Sequence, residues 1–381
     1  MAPMTTFAVE DPYQYLEGLA NYHSSEALQG AIPPVNNPPP PPPPKPPLGL
    51  HTERISGSAF TSPRDQSLQT FLYRAHSSML HGDFVPLEVT SGYGPQTSSA
   101  AAAARLSPNS YFWPAFPVPA RAHWLTGQDL LGRTGVPVQK EGAAVWLLVV
   151  PQAGALDIQT ELGCLRVRQN EIAVVPRGVR HRVALPGGTP CRGFVCELFQ
   201  GHFRLPDLGV VGTTGLANVR DFQVPTASST ARWWTASDGE WTIVSRLAGQ
   251  PWRCSQPHTP FDVAGWHGTC YPYKFDLGRY CPLGNALFDE HDPSLYTVLT
   301  ARHHGAAPGT AVVDFVVVPP ERWSVAEVRA AQGLDTSKPQ KPQMDGLTSF
   351  VLETERPLVL SEWAYACAQK NPQAKGRLAK M

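Results

Sequence analysis

Forty prolines and thirty-two glycines spread through 381 residues constrain this chain more than any other feature of it. Proline lacks a backbone N–H and its ring clashes with the preceding helical turn, so it is excluded from helix interiors and central strands. A chain so punctuated must fold through short strands and many loops. Segments that suit strands recur at 144–150, 155–160, 165–168, 171–175 and 193–199, then at 241–246, 296–300, 311–318, 349–353 and 358–361. They are β-branched or aromatic, partly alternating, and bounded by Gly, Pro and Asn.

That pattern predicts a mainly β fold, a cupin-like double-stranded β-helix (jelly roll) with two β subdomains and few helices. Helix signals are confined to 20–28 and 325–331. The expected organisation is an N-terminal β and loop region over 1–129, a first cupin-like domain over 130–222 and a C-terminal cupin-like domain over 223–381. A proline run at 38–47 reads as polyproline II in an expanded surface loop, with a proline-recognition partner as the alternative. Residues 91–108, which include five consecutive alanines, read as an insertion.

Composition excludes several classes of function. Lys plus Arg and Asp plus Glu both total 31, and no basic block stands out, so the chain carries no electrostatic footprint for nucleic acid or an anionic membrane. Its longest apolar stretch, 143–151, falls far short of the ~20 residues of a membrane helix, and the expectation is a cytoplasmic protein. The seven cysteines show no Cys-x-x-Cys spacing and read as reduced thiols. No Gly-x-Ser-x-Gly elbow, Walker loop, dinucleotide fingerprint or His-Glu-x-x-His motif occurs.

Several blocks, in order, carry a resemblance. They include Tyr22-His23-Ser24-Ser25-Glu26, Ser56-Gly57-Ser58-Ala59-Phe60, Phe71-Leu72-Tyr73-Arg74, Leu205-Pro206-Asp207-Leu208-Gly209, Trp266-His267-Gly268, Pro272-Tyr273-Lys274 and Thr297-Val298-Leu299-Thr300. Together these resemble the homogentisate 1,2-dioxygenase family. The resemblance implies O2-dependent ring cleavage of homogentisate, a small aromatic acid, to maleylacetoacetate in tyrosine and phenylalanine catabolism. It also implies Fe(II) as cofactor, held by two imidazoles and one carboxylate, and a homo-oligomer, trimeric or hexameric. His267 matches the position of the family's catalytic base, which takes a phenolic proton. From sequence alone, a His between Trp266 and Gly268 also fits a hydrogen-bonded core residue.

The last clear matching block is Arg322-Trp323, and the family's ligand-bearing segments should follow it. This chain instead passes through a polar stretch between 323 and 346, so the C-terminal domain is expected to be shortened there, and no histidine follows His304. The metal ligands therefore map onto no residue. Asp289-Glu290-His291-Asp292, the adjacent His303 and His304, and His181 have suitable donors but read as loop or surface groups. Two accounts follow: an incompletely joined dioxygenase with impaired activity, or a shortened relative serving as a metal-free cupin-like scaffold or interaction protein.

Overall fold

The computed structural model describes residues 10–19, 24–27, 49–58, 67–87, 141–143, 146–198, 201–208, 212–227, 238–247, 250–280, 296–302, 311–318 and 347–352. Within these, the N-terminal strands are β1 (Tyr15–Glu17), β2 (Ser24–Ala27), β3 (His51–Ser56), β4 (Gln69–Arg74) and β5 (Val85–Pro86). There follow β6 (Glu141–Ala143), β7 (Trp146–Ala153), β8 (Leu156–Thr160), β9 (Gly163–Val167), β10 (Glu171–Val175), β11 (Arg180–Ala184) and β12 (Arg192–Leu198). Next come β13 (Phe203–Arg204), β14 (Phe222–Pro225), β15 (Asp238–Leu247), β16 (Gln250–His258), β17 (Val263–Gly268) and β18 (Tyr273–Asp276). The last are β19 (Thr297–Arg302), β20 (Ala311–Val318) and β21 (Leu347–Leu352).

The fold is mainly β and cupin-like, as the proline and strand pattern predicts, and among the described residues the only helical pieces are short 3-10 turns. A six-stranded sheet runs β1-β14-β18-β10-β7-β12 and a seven-stranded one β5-β16-β15-β6-β11-β8-β9. Two four-stranded sheets run β13-β19-β20-β21 and β2-β17-β4-β3. Strands from both sides of position 222 share the two larger sheets. Of the candidate strands, 311–318 coincides with β20, while 358–361 lies outside the described residues.

Burial explains the strand sequences. In β7, Trp146 through Pro151 are buried without alternation because β10 and β12 flank the strand and both its faces are covered. In β8, Leu156, Ile158 and Thr160 are buried while Asp157 and Gln159 are only half so, the period-two pattern of a strand with one core face. The helix expected over 20–28 is not formed: Ser24–Ala27 is β2, paired antiparallel with Gly265 through Gly268 on β17. Edge pairing satisfies the backbone of that segment and overrides its local helix preference. The second helix candidate, 325–331, lies outside the described residues.

Lys274 in β18 shows how the N-terminal segment is tied in. Its side chain is 2% exposed and its Nζ donates to Asp11 Oδ2 and the Arg166 carbonyl, each at 2.9 Å. Glu171 Oε1 lies 3.4 Å from the same nitrogen, and the Tyr15 ring sits 4.5 Å away. A buried ammonium is tolerated because its charge and donors are matched this closely.

Candidate functional site

Antiparallel pairing of β17 with β4 positions His267, opposite Phe71, while Gly265 lies opposite Tyr73 and Trp266 opposite Leu72. Alternation divides these residues between two faces. Trp266 and Leu72 point into the core, and the Trp266 indole N–H donates to the Leu162 carbonyl at 3.0 Å. His267 stands on the other face, half-buried, with its ring centroid 5.3 Å from that of Phe71 and 5.7 Å from that of Tyr73. Burial raises the pKa of the Tyr73 phenol, which keeps it a neutral donor at physiological pH.

The next residue must be glycine. A Cβ at Gly268 would run into the Gln69 carbonyl and the Thr70 backbone, because β4 passes against it. That close approach packs the β17 backbone beside His267 directly against β4. Arg54 of β3, opposite Phe71 on its other side, extends the same cross-strand row and is exposed. The face thus offers an imidazole, aromatic walls and a cation two strands away, roughly 10 Å at the usual strand spacing.

The other end of β4 and β17 carries a buried ionic network. Arg74, 1% exposed, donates through Nε and Nη2 to Asp262 Oδ1 at 3.0 and 2.9 Å. Its Nη1 reaches Glu53 at 3.0 Å and Glu161 at 3.3 Å. Burial opposes the charge on Arg74, and Glu161, Asp262 and Glu53 more than offset it, so its pKa is raised. Beyond Arg74, His76 Nδ1 lies 3.2 Å from Asp262 Oδ2, and the His76 ring stacks on that of His258 with centroids 4.8 Å apart.

His76, His258 and Asp262 bring two imidazoles and a carboxylate within 4.8 Å of one another, the donor types of a facial Fe(II) site. They lie apart from His267, the base that the resemblance implies. Val263, next to Asp262, pairs with Arg74 while His267 pairs with Phe71, so about 13 Å of strand separates this cluster from His267. A base must lie within hydrogen-bond reach of the proton it takes, directly or through one water. Asp262 is moreover already engaged by Arg74 and by the His76 backbone N–H at 2.7 Å.

Among the other candidates, His181 is 1% exposed in β11 and its Nδ1 lies 3.3 Å from the Val179 carbonyl. Burial pushes its pKa down to about 4, so it is a neutral core imidazole, whereas a surface group was expected. Asp289, Glu290, His291, Asp292, His303, His304, the proline run at 38–47 and the stretch from 323 to 346 lie outside the described residues. Sequence reasoning missed His76, His258 and Asp262 as a group. His258 and Asp262 are close in sequence, but His76 is nearly two hundred positions away from them, and the register of β4 with β17 brings it alongside.

The protein is thus a mainly β, cupin-like scaffold that presents an imidazole on an aromatic sheet face. The family model described as "Homogentisate 1,2-dioxygenase N-terminal" matches residues 14–277, and "Homogentisate 1,2-dioxygenase C-terminal" matches 278–331. The chain is 43% identical over 346 residues to homogentisate 1,2-dioxygenase of Emericella nidulans, covering 85% of this chain and 74% of that protein. It is 38% identical to the Caenorhabditis elegans enzyme, over 83% of this chain and 74% of that one. The Pseudomonas syringae pv. tomato enzyme is 39% identical, over 82% and 72%. This chain belongs to the homogentisate 1,2-dioxygenase family.

Proposed function

We propose that this chain keeps the substrate face and the base of a homogentisate-cleaving dioxygenase, with Fe(II)-dependent turnover impaired by the altered stretch between Trp323 and Gly346. The observation that carries the proposal is the pairing of family membership across 14–331 with a sequence that contains no histidine after His304. Support for His267 as the base comes from its place in Trp266-His267-Gly268 and its half-buried position over Phe71 and Tyr73. In that role His267 accepts a phenolic proton of homogentisate, the aromatic walls face the substrate ring, and Arg54 offers a cation to its carboxylate. Fe(II), when bound in this family, supplies activation of the aromatic ring and O2. We further assign the protein to the cytoplasm from the shortness of its longest apolar stretch, 143–151, and to a trimer or hexamer on the resemblance alone.

The test is oxygen uptake with homogentisate after Fe(II) loading, run beside calorimetric titration of homogentisate. The expected result is negligible uptake together with binding that weakens in His267→Ala. Uptake at enzymic rates with one iron per chain defeats the impairment, and replacing His291, His303 or His304 then locates the ligands. Absence of both uptake and binding favours the metal-free scaffold, for which the proline run at 38–47 is the docking segment to delete in a pull-down.

A further inference from the structure

We propose that His76, Asp262 and His258 form a binding site for one divalent ion of the zinc type, distinct from the ring-cleavage site and independent of that reading. His76 Nδ1 and Asp262 Oδ2 are 3.2 Å apart, the spacing of two neighbouring ligands each ~2.1 Å from one ion at an angle of about 100°. Ligands ~2.1 Å from a tetrahedral ion stand ~3.4 Å apart, so closing a span of up to 4.8 Å takes ring shifts of about 1.4 Å in total. The His76 side chain is 51% exposed, which lets its ring turn and gives the ion an entry path. Solvent supplies the fourth ligand there.

The two buried members are already oriented. Arg74 holds Asp262 by Oδ1, and Oδ2 accepts the His76 backbone N–H, which leaves the second lone pair of Oδ2 for an ion. His258 Nε2 lies 3.1 Å from the Ser77 carbonyl, and its Nδ1 lies 3.0 Å from both the Gln256 amide nitrogen and the Thr259 carbonyl. These partners serve either neutral tautomer. With Nε2 protonated, the ring donates to Ser77 and accepts from Gln256. With Nδ1 protonated, it donates to the Thr259 carbonyl and its Nε2 lone pair is bare, the outer-shell arrangement that orients ligating histidines. Ion binding selects this second tautomer and takes the place of the donor to Ser77.

Charge favours the same outcome. Two guanidinium groups, Arg74 and Arg180, face three carboxylates, Glu53, Glu161 and Asp262, so the fully ionised cluster carries a formal charge of −1. A cation beside Oδ2 balances it, and Arg74 remains on the opposite oxygen. An N2O donor set with an open position suits Zn2+.

The experiment uses the full chain freed of metal by chelation. Zn2+ binding is followed by equilibrium dialysis with elemental analysis, and Co2+ serves as a visible-absorption reporter of low-symmetry coordination. The expected result is one saturable site whose affinity falls about tenfold or more in His76→Ala, with loss of the Co2+ bands and of any Zn2+-induced rise in Tm. His76 is exposed, so this variant folds even where His258→Gln does not. Joint replacement of His291, His303 and His304 is expected to leave the site unchanged. Failure to saturate, equal affinity in His76→Ala, or loss of the site in the triple variant instead overturns the proposal. No step of the test uses homogentisate or oxygen, so its outcome is separate from that of the dioxygenase reading.

Discussion

The two ends of the β4 and β17 pair differ in kind. At one end His267 stands half-buried over two aromatic rings, on a face that also bears exposed Arg54. At the other, Arg74 is sealed among Glu53, Glu161 and Asp262, with every guanidinium nitrogen engaged. Aromatic packing leaves the His267 imidazole half-buried at the sheet face, whereas the ionic network fixes Arg74 among three carboxylates. The same strand pair can serve chemistry and architecture because its ends are too far apart to interact directly.

The largest expected effect concerns the end that carries His267. Restoring between Trp323 and Gly346 a segment bearing a His and Glu a few residues apart, a Tyr and a later His should give Fe(II)-dependent oxygen uptake with homogentisate. In that protein His267→Ala should slow turnover by roughly 10²–10⁴-fold, the usual loss on removing a general base. A smaller loss would place proton transfer elsewhere and erase the contrast between the ends.

At the ionic end, Arg74→Met should destabilise the fold by about 3–5 kcal/mol, because it strands buried carboxylates without their partner. Urea unfolding would measure this, and a change under 1 kcal/mol would show that the network relaxes. His181, next to Arg180, adds a pH dependence. Its folded pKa of about 4 lies below the unfolded value near 6.5, so its contribution is full above pH ~6.5 and is lost as pH falls towards 4. That amounts to roughly 3 kcal/mol, and His181→Gln should flatten the acid limb of the stability profile.

Gly268→Ala should be milder for the fold, about 1–3 kcal/mol from overpacking against β4. Its value lies in what it separates. If the backbone approach positions His267, the substitution should lower homogentisate affinity as well as stability, and titration calorimetry on the folded variant distinguishes the two. Unchanged affinity would mean that Phe71 and Tyr73 orient the ring by themselves.

Much of this protein is written locally. The prolines forbid long helices, the alternation in 156–160 marks a one-sided strand, and the run in 311–318 is a strand with the bounds its sequence suggests. The base proposed at His267 rests on a short contiguous block, Trp266-His267-Gly268. Long-range pairing decided the rest. Residues 24–27 favour a helix until the edge of β17 offers hydrogen bonds, and His181 looks like a surface group until β8 and β6 enclose it. Asp262 is an unremarkable acid in sequence, and only the register placing Val263 opposite Arg74 sets it beside that guanidinium and beside His76, far away along the chain. Local sequence fixes dihedral preference and facing, both of which act over a few residues, whereas charge pairing and ligand convergence depend on distances in space that no spacing along the chain encodes.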